Sequence, residues 1–201
     1  MKKIVVFFGI VFCVMSGNAF SESYQFGLSA NGNVVMANFE MLNKRSFGTI
    51  AAGGGLSLAR GDYTIGEAMV ALRNDQLLPG LRYGLGFKAF YGKVDEEGGA
   101  YHGMLSALGF LGEVAYELNG SVNPINIPVE AYAGLCFAPS SLCVDDTEKY
   151  QEYKGGLRFY LLESAFISAE LKYRRIDFHD TVHGNWGRDD TFVTGGLTLR
   201  F

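Results

Sequence analysis

The chain has 201 residues, of which 48% are hydrophobic and only 19% charged, less charge than an average soluble domain carries. Glycine reaches 27 residues against 4 prolines with no collagen-like repeat, and 14% aromatic residues exclude a disordered chain. The net charge of −4 offers no basic surplus for neutralising phosphates, which argues against a nucleic-acid partner.

The chain opens on Met1-Lys2-Lys3, followed by twelve uncharged residues from Ile4 to Met15 and then by Gly17-Asn18-Ala19. Twelve apolar residues are too few to span about 30 Å of hydrocarbon but suit the core of a signal peptide. Residues 1–19 therefore read as an export signal cleaved after Ala19, with a cut after Ser21 as the alternative, and residues 20–201 as one domain. Cys13 follows Phe12 rather than a small residue, which argues against a lipid-modified cysteine. Without Lys2 and Lys3 the mature chain keeps 15 of its 17 basic side chains against 21 acidic ones, a net charge of −6.

Period-2 alternation then recurs along the chain. Tyr24 to Ala30, Val34 to Met41, the glycine-rich Phe47 to Ala59, and Tyr63 to Leu72 are the first strand candidates. From Leu81 to Tyr91, apolar Leu81, Tyr83, Leu85, Phe87 and Ala89 alternate with Arg82, Gly84, Gly86 and Lys88. Tyr101 to Leu118 and Val129 to Phe137 follow. Next, Leu157, Phe159 and Leu161 alternate with Lys154, Gly156 and Arg158, and Ile167, Ala169, Leu171 and Tyr173 with Ser168, Glu170, Lys172 and Arg174. Last, Val193, Leu197, Leu199 and Phe201 stand opposite Thr194, Thr198 and Arg200. Side chains of a strand point to opposite faces in turn, so each segment has one apolar and one polar face. Turn clusters separate ten such strands, and eight remains the alternative count.

No segment after the signal offers the 18 or so uncharged apolar residues of a membrane helix. Two architectures fit: a soluble sandwich or barrel with its apolar face inward, and a transmembrane antiparallel up-and-down β-barrel with that face towards lipid. The second is favoured. Charges keep to one face, and the apolar runs match the ~9–11 residues of a tilted crossing. Tyr24, Tyr83, Tyr91, Tyr116, Tyr153, Tyr173 and Phe201 gather near strand ends, as interfacial girdles do. With both termini on the periplasmic side, the connections Asn31–Asn33, Arg60–Asp62, Asp95–Gly99, Ala138–Lys149 and His179–Asp190 face outside, and Asn119–Asn126 is a long periplasmic turn. The expected place is a bacterial outer membrane, as a monomer against lipid and lipopolysaccharide.

The ending Thr194-Gly-Gly-Leu-Thr-Leu-Arg-Phe201 resembles the closing strand of bacterial outer-membrane barrels. That resemblance implies that Phe201 is read by the barrel assembly machinery. Ala138-Pro139-Ser140-Ser141-Leu142, Tyr150-Gln151-Glu152-Tyr153 running into Gly155 to Phe159, and Ile167 to Ile176 around Glu170-Leu171-Lys172-Tyr173-Arg174 are similar to the YfaZ family of small outer-membrane proteins. The similarity covers roughly Gly80 to Phe201. It implies a location and a fold, porin-like in outline, and brings no catalytic residues or cofactor. Cys136 and Cys143 are not part of that pattern.

Strand parity turns fourteen charges inward: Glu40, Glu67, Arg82, Lys88, Glu113, Glu117, Glu130, Glu152, Lys154, Arg158, Glu170, Lys172, Arg174 and Arg200. They read either as a salt-bridged plug, since unpaired buried charge is costly, or as the lining of a narrow pore for small solutes. Cys136 and Cys143 are candidates for a disulfide after export, the alternative being two free thiols. His179-Asp180 with His183, Asp189 and Asp190 in one outer loop could be imagined as an acid–base dyad or a metal site, but a solvated loop is the simpler reading, and neither a catalytic nor a metal site is expected. The acidic loop Val144 to Glu148 could take a cation near lipopolysaccharide or be plain loop, and Trp186 could stack on a sugar or pack the last loop down. The function expected is non-enzymatic, structural or surface-interacting, with a narrow channel second and a hydrolase a distant third.

Overall fold

The computed structural model describes residues 23–95, 101–118, 127–180 and 184–201. The expected export signal, most of the Asp95–Gly99 turn, Asn119–Asn126 and His183 lie outside the described residues. Ten strands form one closed antiparallel barrel: β1 (Ser23–Ala30), β2 (Val34–Arg45), β3 (Gly48–Ala59), β4 (Tyr63–Asn74), β5 (Leu81–Asp95), β6 (His102–Leu118), β7 (Val129–Ala138), β8 (Thr147–Leu162), β9 (Ala165–Asp180) and β10 (Gly184–Arg200). Each strand pairs with its sequence neighbours, and β1 pairs with β10 to close the ring. Phe201 completes the seam: its N–H donates to the Tyr24 carbonyl at 2.9 Å and its own carbonyl accepts from Tyr24 at 3.0 Å. Closure gives every described strand a partner on both sides. Among the described residues no helix is long and apolar enough to cross a membrane.

The alternation fixes which way each strand faces. Leu85, Phe110, Leu135, Leu171, Val193 and Leu197 stand exposed on the outside, part of a band of large apolar side chains that continues around the ring. A water-soluble protein does not leave an apolar belt of that extent uncovered. Tyr24, Tyr91, Tyr116 and Tyr153 are exposed on the same outer face, with Tyr24 stacked on Phe39 and Tyr153 on Tyr173. Tyr83 and Tyr91 are eight residues apart on β5, about 27 Å along the strand. At the usual tilt near 40° that rises about 21 Å, most of the roughly 25 Å height of a barrel's lipid-facing band.

The short turns lie where the chain reverses tightly. Asn31 accepts hydrogen bonds from the backbone of Asn33 and Val34 at 2.8 Å, and Gly61 in Arg60–Asp62 takes a φ of +77° that other residues adopt at a cost. Two of the longer connections differ from the sequence expectation. Ala138–Lys149 contains a short 3-10 turn, Ser140–Leu142, and gives way to β8 at Thr147. His179–Asp190 is mostly strand, because β9 runs to Asp180 and β10 begins at Gly184. There the outward alternation switches from apolar to charged. Arg175 pairs across the hairpin with Asp189 and lies 3.0 Å from Asp177, so the strands continue above the apolar belt.

Candidate functional site in the barrel lumen

The lumen is layered. At the end carrying the outer connections, inward side chains of β4, β5, β6, β8 and β9 form an apolar cap: Ile65, Val94, Leu105, Tyr150, Ile176 and Phe178 are all completely buried. Phe90 lies 4.0 Å from Tyr150 ring to ring, and Trp186 stacks on Phe178 at 4.3 Å, so the tryptophan packs inward.

Directly beneath lies a buried ionic layer. The Lys88 ammonium is 2.9 Å from both Glu152 and Glu67. Glu152 also accepts from the Tyr150 hydroxyl at 2.9 Å and from Arg174 at 3.4 Å, with Lys172 4.0 Å away. Arg174 is fully buried, and its guanidinium lies over the Tyr63 ring. Lys172 sits 3.5 Å from Glu170, whose other oxygen accepts from the Tyr132 hydroxyl at 2.8 Å.

Towards the end carrying the termini, two more groups pair the charges. Arg73 reaches both Glu40 oxygens, at 2.7 and 2.8 Å, and Glu113 at 3.0 Å. Glu130, itself buried, is shared by Arg82 and Arg158, the latter at 2.6 Å, and accepts from Tyr160 at 3.3 Å. Arg158 stacks over Tyr132. Arg200 donates to the amide oxygen of Gln25 at 3.2 Å, and Glu117 lies exposed at the mouth.

Inward glycines make this crowding fit. Lys154 lies across Gly134, where a Cβ would come within 2.9 Å of its stem, and the Tyr132 hydroxyl occupies the space over Gly156. What remains is a cavity of about 150 Å³ in the mid-lumen, continued towards the mouth by a smaller one of about 40 Å³ beside Arg82 and Glu113. Thus the lumen is shut at one end and hollow at the other.

Three features of the site were not read from the sequence. Arg73 follows the parity of Glu67 and Met69, but the turn cluster Asn74-Asp75-Gln76 drew the strand boundary at Leu72. Arg188 and Asp190, which the sequence pattern assigns to a loop, face inward from β10, where Arg188 meets Asp190 at 3.1 Å and Asp62 at 3.2 Å and donates to the Asp95 carbonyl at 2.7 Å. The parity of Thr194 and Thr198 carried back along β10 finds both. Thr194 itself lines the cavity.

The disulfide between Cys136 and Cys143 is not formed; both are free thiols. Cys136 lies opposite Leu111 of β6 and Cys143 opposite Ala107, so four residues, about 13 Å, separate them along that strand. Bridged cysteines need Cα atoms within about 7 Å. Instead the Cys143 thiol faces the Ala138 carbonyl at 3.8 Å, and burial pushes its pKa up to about 11.

The outer-loop groups disperse. His179 bonds to Asn185 at 2.7 Å, Asp189 faces outward to Tyr173 and Arg175, and Asp190 faces inward to Arg188. Asp146, in the acidic loop, is held by the backbone N–H of Met104 at 2.9 Å. His102 pairs with Asp95 at 2.6 Å on the exposed rim. Among the described residues no three His, Cys, Asp or Glu side chains are placed to hold a metal ion. No family model matches the sequence, and no curated protein matches it either.

Proposed function

We propose that this protein is an integral outer-membrane β-barrel of structural or surface-interacting type, non-enzymatic and non-conducting. The observation that carries the reading is its inverted layering: an apolar belt outside, and inside an ion-paired lumen stopped at one end by an apolar cap. The belt suits a hydrocarbon surround, where every backbone group must pair within the barrel. Pairing of the lumen charges among themselves is what burial of so many demands. The export signal, the aromatic-terminated last strand and the resemblance to the YfaZ family support the outer membrane, with lipopolysaccharide around the upper belt and the barrel assembly machinery as the partner of Phe201 during insertion. With the termini in the periplasm, the cap lies at the cell surface and the hollow faces the periplasm.

The cap counts against the narrow-channel reading, because an ion entering from the mouth meets Lys88, Glu152 and then a dry layer around Tyr150 and Phe178. The test is single-channel recording of the refolded protein in planar bilayers, with insertion verified by protease protection. Silence is expected. Stepwise openings with an ion preference would replace this reading by the channel.

A further inference from the structure

The mid-lumen cavity is built for more than filling space. We propose that it is a binding site for a small hydroxylated carboxylate that comes in from the end carrying the chain termini.

The first observation is Lys154. Each of the other charged side chains lining the cavity has an opposite charge within 4.0 Å: Glu40 and Glu113 share Arg73, Glu67 has Lys88, Glu170 has Lys172, and Arg158 has Glu130. Lys154 lines both the cavity and its continuation towards the mouth, and has no hydrogen bond and no ion pair within 4.0 Å among the described residues, with Glu113 and Glu170 acting on it only at longer range. It stands directly across from Lys172 on the neighbouring strand, on the same inward face. Like charges placed opposite one another in a sheet repel, and an anion between them would relieve both. Five cationic and four anionic side chains line the cavity, and Glu152 and Glu130 behind it serve Lys88, Lys172 and Arg158, which leaves Lys154 as the lining cation without a close partner.

The second observation is independent of charge. The wall of the cavity formed by β1, β2, β9 and β10 presents Ser29, Asn38, Ser168, Thr194 and Thr198 around the inward glycines Gly27 and Gly196. Thr194 is only 2% exposed, yet its hydroxyl has no hydrogen-bond partner. A buried hydroxyl left unpaired costs free energy, which a ligand hydroxyl would recover once the Thr194 side chain turns towards the cavity. An unpaired ammonium together with a hydroxyl-and-amide wall selects a ligand bearing a carboxylate and hydroxyl groups. A cavity near 150 Å³ has room for about six to eight heavy atoms. The apolar cap closes the other end, so the approach is past Arg82.

The experiment is calorimetric titration of the full-length mature barrel in detergent micelles with glycerate, and with uncharged glycerol as its comparison. Folding of each variant is checked by heat-modifiable migration on a gel. Saturable glycerate binding is expected, weakened at least about tenfold in Lys154→Met, kept in Lys154→Arg, and much weaker for glycerol. Lys154→Gln serves as a second charge-removing variant should the methionine variant not fold. Absence of saturable binding by folded wild type, undiminished binding by a folded Lys154→Met or Lys154→Gln, or glycerol bound as tightly as glycerate would each overturn the proposal.

Discussion

Arg73 shows how one side chain organises a lumen. Its guanidinium is the common partner of Glu40 and Glu113, which come from strands on either side of it and have no other ion pair among the described residues. Removing it leaves two half-buried carboxylates facing one another. Arg73→Met should therefore destabilise the barrel by on the order of 3 kcal/mol in urea unfolding from vesicles, and adding Glu113→Gln should recover part of the loss. Wild-type stability in Arg73→Met would mean that solvent, not the arginine, holds those carboxylates. Cys143 supplies a second prediction at this scale. A thiol with its pKa near 11 is almost entirely protonated at pH 8, so alkylation of the folded protein should be slow there and accelerate as pH approaches 11. Unfolding without reductant and then alkylating should label both Cys136 and Cys143. An unlabelled pair would mean that a bridge forms after all.

At the scale of the strand, what could be read from the sequence depended on whether the two faces differed in polarity. On β5, β7 and the lower part of β9 and β10, apolar residues alternate with Arg, Lys, Glu or Gly, and both the strands and their parity were legible. The glycine-rich β3 was legible only as a segment, since Gly53, Gly54 and Gly55 carry no facing signal. The upper parts of β8, β9 and β10 were missed because above the belt both faces turn polar. Arg175, Asp177 and Asp189 outside, with Arg188 and Asp190 inside, look like loop in a sequence; the cross-strand register shows them as paired strand. In the site, parity gave the inward charges of the legible strands. Their partners around the ring depend on register and side-chain reach, which a single strand does not encode. The belt itself is open to test. Leu171 and Leu197 point outward within the apolar belt, and replacing either by Arg should cost about 2–4 kcal/mol if it lies near the bilayer midplane. Thr198→Arg, pointing into the hollow, should cost less. Equal costs on the two faces would contradict the inside–outside assignment.

For the whole molecule, the arrangement amounts to two seals in series above a hollow. The upper seal is apolar and close-packed around Phe178, Tyr150 and Ile176; the lower is the network joining Lys88, Glu67, Glu152, Lys172 and Arg174. They share Tyr150, whose ring belongs to the cap and whose hydroxyl donates to Glu152. Their failure modes differ. Truncating an aromatic in the cap leaves a void, so Phe178→Ala should lower stability by about 3–5 kcal/mol. It should leave the bilayer silent, because the charged side chains beneath still span the lumen. Removing Lys88 and Glu152 together as Lys88→Ala/Glu152→Ala takes the centre out of the lower seal and leaves Glu67 and Arg174 without their ion-pair partners, so it should also lower stability, while the apolar cap should still block ions. Only the combination of all three substitutions opens both layers. Planar-bilayer recording of the three proteins, each with its urea midpoint, checks this: conductance is expected in the triple variant alone. If Phe178→Ala conducts by itself while remaining folded, the ionic network is hydrated and permeable, and the cap is the only barrier between the hollow and the outer loops.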